Sequence, residues 1–264
     1  MSGVSGDIIV DGLAPRIPSA GTWRLFEQAA GGYDEWYDSP SGRRVERSER
    51  RLLRWLLDQV PGSRSLLDVG CGTGRFTGWL AERPLRVFGL DRSPAMLAVL
   101  RRRHPEVPVV LGDAHRLPLR DGAVDLTLLL TTLEFLEDPL AALTEAVRVS
   151  RRGMLLVVLN RWSMGGLSRR VGRQRSGSLL GRARDWTVAM LRAAARKAAG
   201  RRLRATRWRS ALLPGGLADV PTMIPLGDVL GLVVRLDHAG DRELACLAAS
   251  SRSRFTSRPR SGGH

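Results

Sequence analysis

The sequence predicts an α/β fold whose parallel sheet is covered by helices on both faces, and three observations lead there. First, Ser65-Leu66-Leu67-Asp68-Val69-Gly70-Cys71-Gly72-Thr73-Gly74-Arg75-Phe76 carries an apolar strand into three alternating glycines and then into a helix start. Second, the apolar runs Leu85 to Leu90, Val107 to Leu111 and Val124 to Leu130 alternate with helical patterns. Runs that are apolar on both faces suit a parallel sheet buried between helices. Third, the second run ends in Asp91, about twenty residues beyond the glycines, where a carboxylate suits a pair of ribose hydroxyls. Together the glycine turn and Asp91 point to a nucleoside ligand.

Taken in order, residues 1–20 mix Gly, Ser, Pro and Asp without a period and read as a disordered tail. Residues 21–60 read as a helical lid. In it Trp23, Phe26, Tyr33, Trp36 and Tyr37 recur at helix-like intervals, and an amphipathic segment from Arg43 to Val60 puts Val45, Leu52, Leu53, Leu56 and Leu57 on one side. Pro61-Gly62 ends that helix. The main domain is expected over 61–251, opening with the strand at Ser65 to Gly70. A helix from Pro94 to Arg103 follows the second strand, with Ser93 as its N-cap, and Pro139 opens another after Asp138. The fifth strand is placed at Met154 to Leu159. Residues 161–185 carry Arg169, Arg170, Arg173, Arg175, Arg182 and Arg184 with little apolar period and read as a variable basic loop. A helix from about Trp186 to Ala199 ends at Gly200. Leu203 to Leu213 supplies a sixth strand, Glu243 to Ser250 the last, and 252–264 a second disordered tail.

A chain of 264 residues, 43% hydrophobic, has enough apolar content for one good core. Its net charge of +16 raises nucleic-acid binding as a possibility. Lys197 is the sole lysine, however, so arginine has replaced lysine throughout, as a compositional bias produces. Cys71 and Cys246 make no disulfide framework, and the four histidines show no metal-ligand spacing with them. No apolar run reaches the ~18 residues of a membrane span, and the N-terminus lacks a signal-like segment. A cytoplasmic home is expected, with peripheral membrane contact left open.

Glycine spacing narrows the ligand. Gly70-x-Gly72-x-Gly74 departs from the G-x-G-x-x-G of dinucleotide sites. Leu67-Asp68-Val69-Gly70-Cys71-Gly72-Thr73-Gly74 resembles motif I of class I S-adenosylmethionine-dependent methyltransferases, in particular the type 11 and ubiquinone-menaquinone biosynthesis-like group. Gly89-Leu90-Asp91-Arg92-Ser93 resembles the acidic segment of that family. Gly112-Asp113-Ala114, with Asp121-Gly122-Ala123-Val124-Asp125-Leu126, resembles its adenine-contacting and fourth-strand motifs. Leu133-Glu134-Phe135-Leu136-Glu137-Asp138-Pro139 and Arg152-Gly153-Met154-Leu155-Leu156-Val157-Val158 continue the match, which covers roughly residues 30 to 160. The resemblance implies a Rossmann-like, seven-stranded, mostly parallel sheet with the last strand reversed, S-adenosyl-L-methionine as cofactor, and in-line methyl transfer to a small molecule.

It also implies roles for individual residues. Gly70, Cys71 and Gly72 line the methionine end, Gly74 belongs to the same cofactor-binding turn, and Asp68 helps hold the ammonium group. Asp91 takes the ribose hydroxyls. Asp113 and Ala114 serve the adenine edge, Arg92 and Met96 border its plane, and Thr131 brings backbone to the methionine portion. Tyr33 and Tyr37 resemble lid tyrosines. Many relatives carry a histidine after the fourth strand; this chain has Leu133-Glu134-Phe135 there, which makes Glu134 the candidate general base. His115 is expected at the surface and His104 at a helix end. Other readings stay open: an RNA or DNA methyltransferase, a cofactor-binding module without transfer activity, and a nicotinamide-dependent reductase. The acceptor, its reacting atom and the oligomeric state are not specified.

Overall fold

The computed structural model describes residues 21–165, 167, 183–213 and 220–237. Among the described residues seven strands are formed: β1 Ser65–Val69, β2 Arg86–Asp91, β3 Val109–Leu111, β4 Val124–Leu130, β5 Ser150–Leu159, β6 Leu203–Ala211 and β7 Val229–Leu236. They make one sheet in the order β3-β2-β1-β4-β5-β7-β6. Pairs β1–β2, β1–β4, β2–β3 and β4–β5 are parallel. β7 runs antiparallel to both β5 and β6, which is the reversed strand expected.

Its position corrects the sequence reading. The strand expected at Glu243 to Ser250 falls outside the described residues, and the reversed strand is Val229–Leu236. Gly231 interrupts that apolar run because α2 Pro40–Asp58 crosses there: a Cβ on Gly231 would lie 2.8 Å from Leu52 Cδ1. β5 also begins earlier than its apolar run, because Ser150 pairs with Val124 in the ladder.

Among the described residues, six α-helices of seven residues or more accompany the sheet: α1 Trp23–Ala29, α2, α3 Arg75–Ala81, α4 Pro94–Arg103, α5 Pro139–Val149 and α6 Val188–Ala199. Their starts follow local chemistry. Ser39, Ser93, Asp138 and Thr187 accept from backbone N–H groups of the first turn, and Pro40, Pro94 and Pro139 follow three of these caps. The last helix therefore begins at Val188, two residues later than expected, with Trp186 in a short parallel bridge to Asn160.

The core is divided by the sheet. On one face Leu52, Leu53 and Leu56 of α2, with Phe76, Trp79 and Leu80, pack against Leu66, Leu155, Val157 and Val233. On the other, Ala142, Leu143 and Ala146 of α5 and Leu191 and Ala195 of α6 pack against Leu67, Met154, Leu156, Val158 and Leu232. Alternate residues of β5 thus enter opposite cores, as a strand's period of two requires. Among the described residues no helix is long and apolar enough to cross a membrane. The strand order reverses between β1 and β4, and a crevice opens there at the carboxyl ends of the strands.

Candidate functional site

A cavity of about 730 Å³ occupies that crevice, within the ~300–1,000 Å³ range of small-molecule sites. Sheet order gives it two ends. Asp91 and Asp113 lie toward β2 and β3, while Leu130, Leu159 and Val229 lie toward β4, β5 and β7.

The floor is the glycine turn, and its three glycines do different things. Gly70 has φ +78° and a Cβ there would lie 2.6 Å from Thr132 Oγ1; Gly74 has φ +84° and a Cβ would lie 2.4 Å from Leu100 Cγ. These two are needed for backbone conformation and close packing. Gly72 also has positive φ, at +54°, but nothing lies within 4 Å of its missing Cβ. It faces open cavity, so a ligand can lie against its main chain. The N–H groups of Gly70 and Cys71 both donate to Leu90 O, at 2.7 and 3.0 Å, and Gly72 N–H donates to Asp91 Oδ2 at 2.8 Å. They fasten the turn to the end of β2. Cys71 is buried beside the turn and its thiol is pushed up by burial.

Three carboxylates follow. Asp91 accepts from Gly72 N–H and from Ser93 N–H, each at 2.8 Å and one on each oxygen, which leaves further lone pairs on both. Burial raises its pKa even so. Asp68 is 2% exposed; its Oδ2 accepts from Thr77 Oγ1 at 2.7 Å, while Oδ1 has no partner. Burial pushes this carboxyl up to about 7. A buried oxygen without a donor, at the edge of a cavity, marks where a ligand's cationic or N–H group fits. Asp113 accepts from both Nδ1 and the backbone N–H of His115, at 2.6 and 2.9 Å, and Arg92 Nη2 stands 3.8 Å away. The His115 hydrogen bond holds the Asp113 carboxyl low and the imidazole high. His115 was expected at the surface; it is half-buried against Asp113, lines the cavity, and accepts from Asp138 N–H at 3.2 Å through Nε2.

The N-terminal segment covers this floor. Trp23 lies under the Arg92 guanidinium, 5.4 Å from ring to charge, and Phe26 bridges Tyr33 and Phe135. Tyr33 and Tyr37 both line the cavity, with Arg75 over the Tyr37 ring. Burial lifts the Tyr33 phenol to about 12 and raises Tyr37 as well. Two clasps fix the cover. Asp34 accepts from Thr73 Oγ1 at 3.0 Å and pairs with Arg103, while Glu27 accepts from Ala95 N–H at 3.1 Å and from the Ser93 hydroxyl. Met96, buried in α4, packs with Phe26 and Tyr33 and lines the cavity.

Of the residues singled out in the sequence, Asp68, Gly70, Cys71, Gly72, Asp91, Arg92, Met96, Asp113, Ala114, Thr131, Tyr33 and Tyr37 meet at one cavity. Thr131 closes β4 with φ +50°, a left-handed conformation costly for a β-branched residue and typical of ligand-lined positions. Gly74 stands behind the turn against Leu100. Glu134 does not line the cavity: it is 3% exposed and its Oε1 accepts from Leu159 N–H at 2.5 Å, so its carboxylate ties the turn after β4 to the end of β5. Glu49 was missed. It lines the cavity from α2, and its only sequence signal is a carboxylate one turn from both Val45 and Leu52 on the apolar side of that helix. The Asp34 clasp was missed too, because its partners are 39 and 69 residues away. Arg169, Arg170, Arg173, Arg175, Arg182, His238 and Cys246 lie outside the described residues. Among the described residues no group of three or more His, Cys, Asp or Glu is arranged to hold a metal ion.

Residues 67–158 match the model of a methyltransferase domain family. Over 132 residues the chain is 36% identical to a malonyl-[acyl-carrier protein] O-methyltransferase of Serratia marcescens, covering 50% of this chain and 49% of that protein. Over 134 residues it is 37% identical to a demethylmenaquinone methyltransferase of Renibacterium salmoninarum, covering 51% and 56%. The chain thus spans about half the length of the curated relatives it matches. A solved S-adenosylmethionine-dependent methyltransferase of Thermotoga maritima, described as a possible histamine N-methyltransferase, superposes with a TM-score of 0.67 at 24% identity, over 81% of this chain and 99% of that one. At that identity the likeness speaks for the fold alone.

Proposed function

From a chain that belongs to the class I S-adenosylmethionine-dependent methyltransferases through its domain at 67–158, we propose an enzyme that methylates a small molecule held in the crevice cavity. S-adenosyl-L-methionine is the cofactor of this family, and the residues present fit it. Asp68 Oδ1 offers a buried acceptor without a donor, Gly72 offers open main chain, and Asp91 has free lone pairs. When bound, the cofactor supplies a methyl group activated by its sulfonium.

The rest is work for the chain's own side chains. Asp68 holds the ammonium group, Asp91 the ribose hydroxyls and Asp113 the adenine amino group, with Arg92 and Met96 beside its plane. Tyr33, Tyr37 and Phe26 exclude water, which strengthens every electrostatic contact beneath them and favours orientation over bulk solvation. The acceptor takes the opposite end, where Val45, Leu130, Leu159, Leu212 and Val229 form an apolar wall. That continuation of the cavity beyond the carboxylates, under a clasped cover, is the observation that carries a small-molecule acceptor over a polynucleotide. The name of the demethylmenaquinone relative agrees with it.

The test is calorimetry with S-adenosylhomocysteine, then transfer of isotopically labelled methyl groups to a metabolite extract with and without added RNA. Binding followed by label in the small-molecule fraction is expected. Label in RNA alone, or binding of NADH with no response to S-adenosylhomocysteine, overturns the reading.

The Asp68 carboxyl adds a pH signature. Raised to about 7 by burial, it is largely protonated at pH 6 and must ionise to hold an ammonium group. Binding therefore releases a proton, and affinity climbs as pH rises through that value. Between pH 6 and 7.5, S-adenosylhomocysteine is expected to bind severalfold more tightly, with a shallower climb in Asp68→Asn. Equal slopes in the two proteins refute the assignment.

A further inference from the structure

Resting on the methyltransferase reading above, one buried group at the acceptor end identifies the chemistry of the acceptor. Val45, Leu52, Leu53 and Leu56 make the apolar side of α2, and Glu49 sits in the middle of it. The residue is 3% exposed, lines the cavity, and its Oε2 has no hydrogen-bond partner. It makes no ion pair among the described residues. The charged groups that reach it are acidic: Glu46 on its own helix and Glu134 from the turn after β4. Glu46 is already bridged to Arg50 and Arg75. The phenols of Tyr33 and Tyr37 face it from the cover. A carboxyl placed in an apolar stripe without a cation costs stability, and such a cost is kept where a ligand supplies the missing partner.

We infer that Glu49 is the acceptor-binding carboxylate of the cavity and that the acceptor is a small amine with an apolar or aromatic body. An anionic acceptor finds no cationic partner in Glu49 and would only hold its carboxyl protonated. An ammonium group instead meets one carboxylate directly, with the Tyr33 ring as an aromatic neighbour that favours a cation. The same carboxylate then serves as base. One ammonium proton passes to Glu49, which leaves a lone pair on nitrogen. That pair forms the new N–C bond while the C–S bond of the methyl sulfonium donor breaks and its electrons return to sulfur. The product leaves as an N-methylammonium ion and the proton on Glu49 returns to water. Burial, with Glu46 and Glu134 nearby, holds the free carboxyl at about 8, so at pH 7 an arriving ammonium displaces its proton.

The experiment uses the full chain saturated with S-adenosylhomocysteine, titrated at pH 7 with 2-phenylethylamine, tryptamine and hexylamine and with the corresponding alcohols. At least one amine is expected to bind tenfold or more tightly than its alcohol. Titrations in buffers of different ionisation enthalpy are expected to show close to one proton released per amine. Glu49→Gln loses tenfold or more in amine affinity and the proton release, keeps its S-adenosylhomocysteine affinity within about twofold, and has a Tm no lower than the parent. Amines that bind no better than alcohols, or release no proton, overturn the inference while intact S-adenosylhomocysteine binding leaves the methyltransferase reading standing. A Glu49→Gln effect on S-adenosylhomocysteine rather than on amines reassigns the carboxylate to the donor and equally overturns it. Failure of S-adenosylhomocysteine to bind the parent protein removes the underlying reading instead.

Discussion

Asp91→Ala is expected to weaken S-adenosylhomocysteine binding by about 1 to 3 kcal/mol, roughly 5- to 150-fold, because it strands polar groups on both sides of the contact. In the free protein the carboxylate joins two pieces of chain, accepting from Gly72 N–H with one oxygen and from Ser93 N–H with the other. Each oxygen keeps a lone pair that could accept from a ribose hydroxyl, so under the proposed function the residue would serve the turn and the ligand at once. Alanine removes all four acceptor sites. Asparagine retains an oxygen but turns an NH₂ toward one of the two backbone donors, and its loss should be intermediate. A role confined to the turn would lower Tm without distinguishing ligands. The discriminating measurement is therefore a cycle with 5′-methylthioadenosine and its 2′,3′-dideoxy analogue. The parent protein should lose affinity for the dideoxy compound, and Asp91→Ala should bind both alike. Unchanged affinity for S-adenosylhomocysteine in calorimetry contradicts the assignment.

What the sequence disclosed and what it hid divide along a physical line. Local chemistry was legible. Ser93-Pro94 set the start of α4 and the helix runs Pro94–Arg103 as read, because a capping hydroxyl and a proline with fixed φ act over three residues. The glycine turn and Asp91 were legible too, since both lie within one strand–turn–helix–strand unit, Ser65 to Asp91. Tertiary packing was not. β7 carries a glycine where a strand needs a side chain, and only the crossing of Leu52 over Gly231 explains it. Glu49 reads as one more charge on a charged helix until α2 is laid on the sheet. The Glu134 turn was placed correctly after β4, but its carboxylate turns to Leu159 N–H rather than into the cavity. Sequence order fixes where a side chain starts and leaves its rotamer to the neighbours it meets.

The glycine turn gives the sharpest separation of stability from binding. Gly74→Ala places a methyl group 2.4 Å from Leu100 Cγ at φ +84°. Leu100 is fully buried among Cys71, Leu97 and Val107 and has no room to retreat. A left-handed conformation costs roughly 1–2 kcal/mol for a residue with a Cβ, and overpacking adds about 1–3 kcal/mol. The sum is a large share of the ~5–15 kcal/mol that holds a domain together, and a Tm loss on the order of 10 °C is expected by calorimetric scanning. Gly72→Ala meets only the backbone cost, because no atom lies within 4 Å of the new methyl. Its Tm should fall by a few degrees, yet the methyl stands on the cavity floor and S-adenosylhomocysteine affinity should fall with it. Leu100→Ala combined with Gly74→Ala is expected to cost less than the two changes summed, since each relieves the other's misfit. If Gly72→Ala and Gly74→Ala lower Tm equally, or the double change is strictly additive, the division of labour between a packed glycine and a ligand-facing one is wrong.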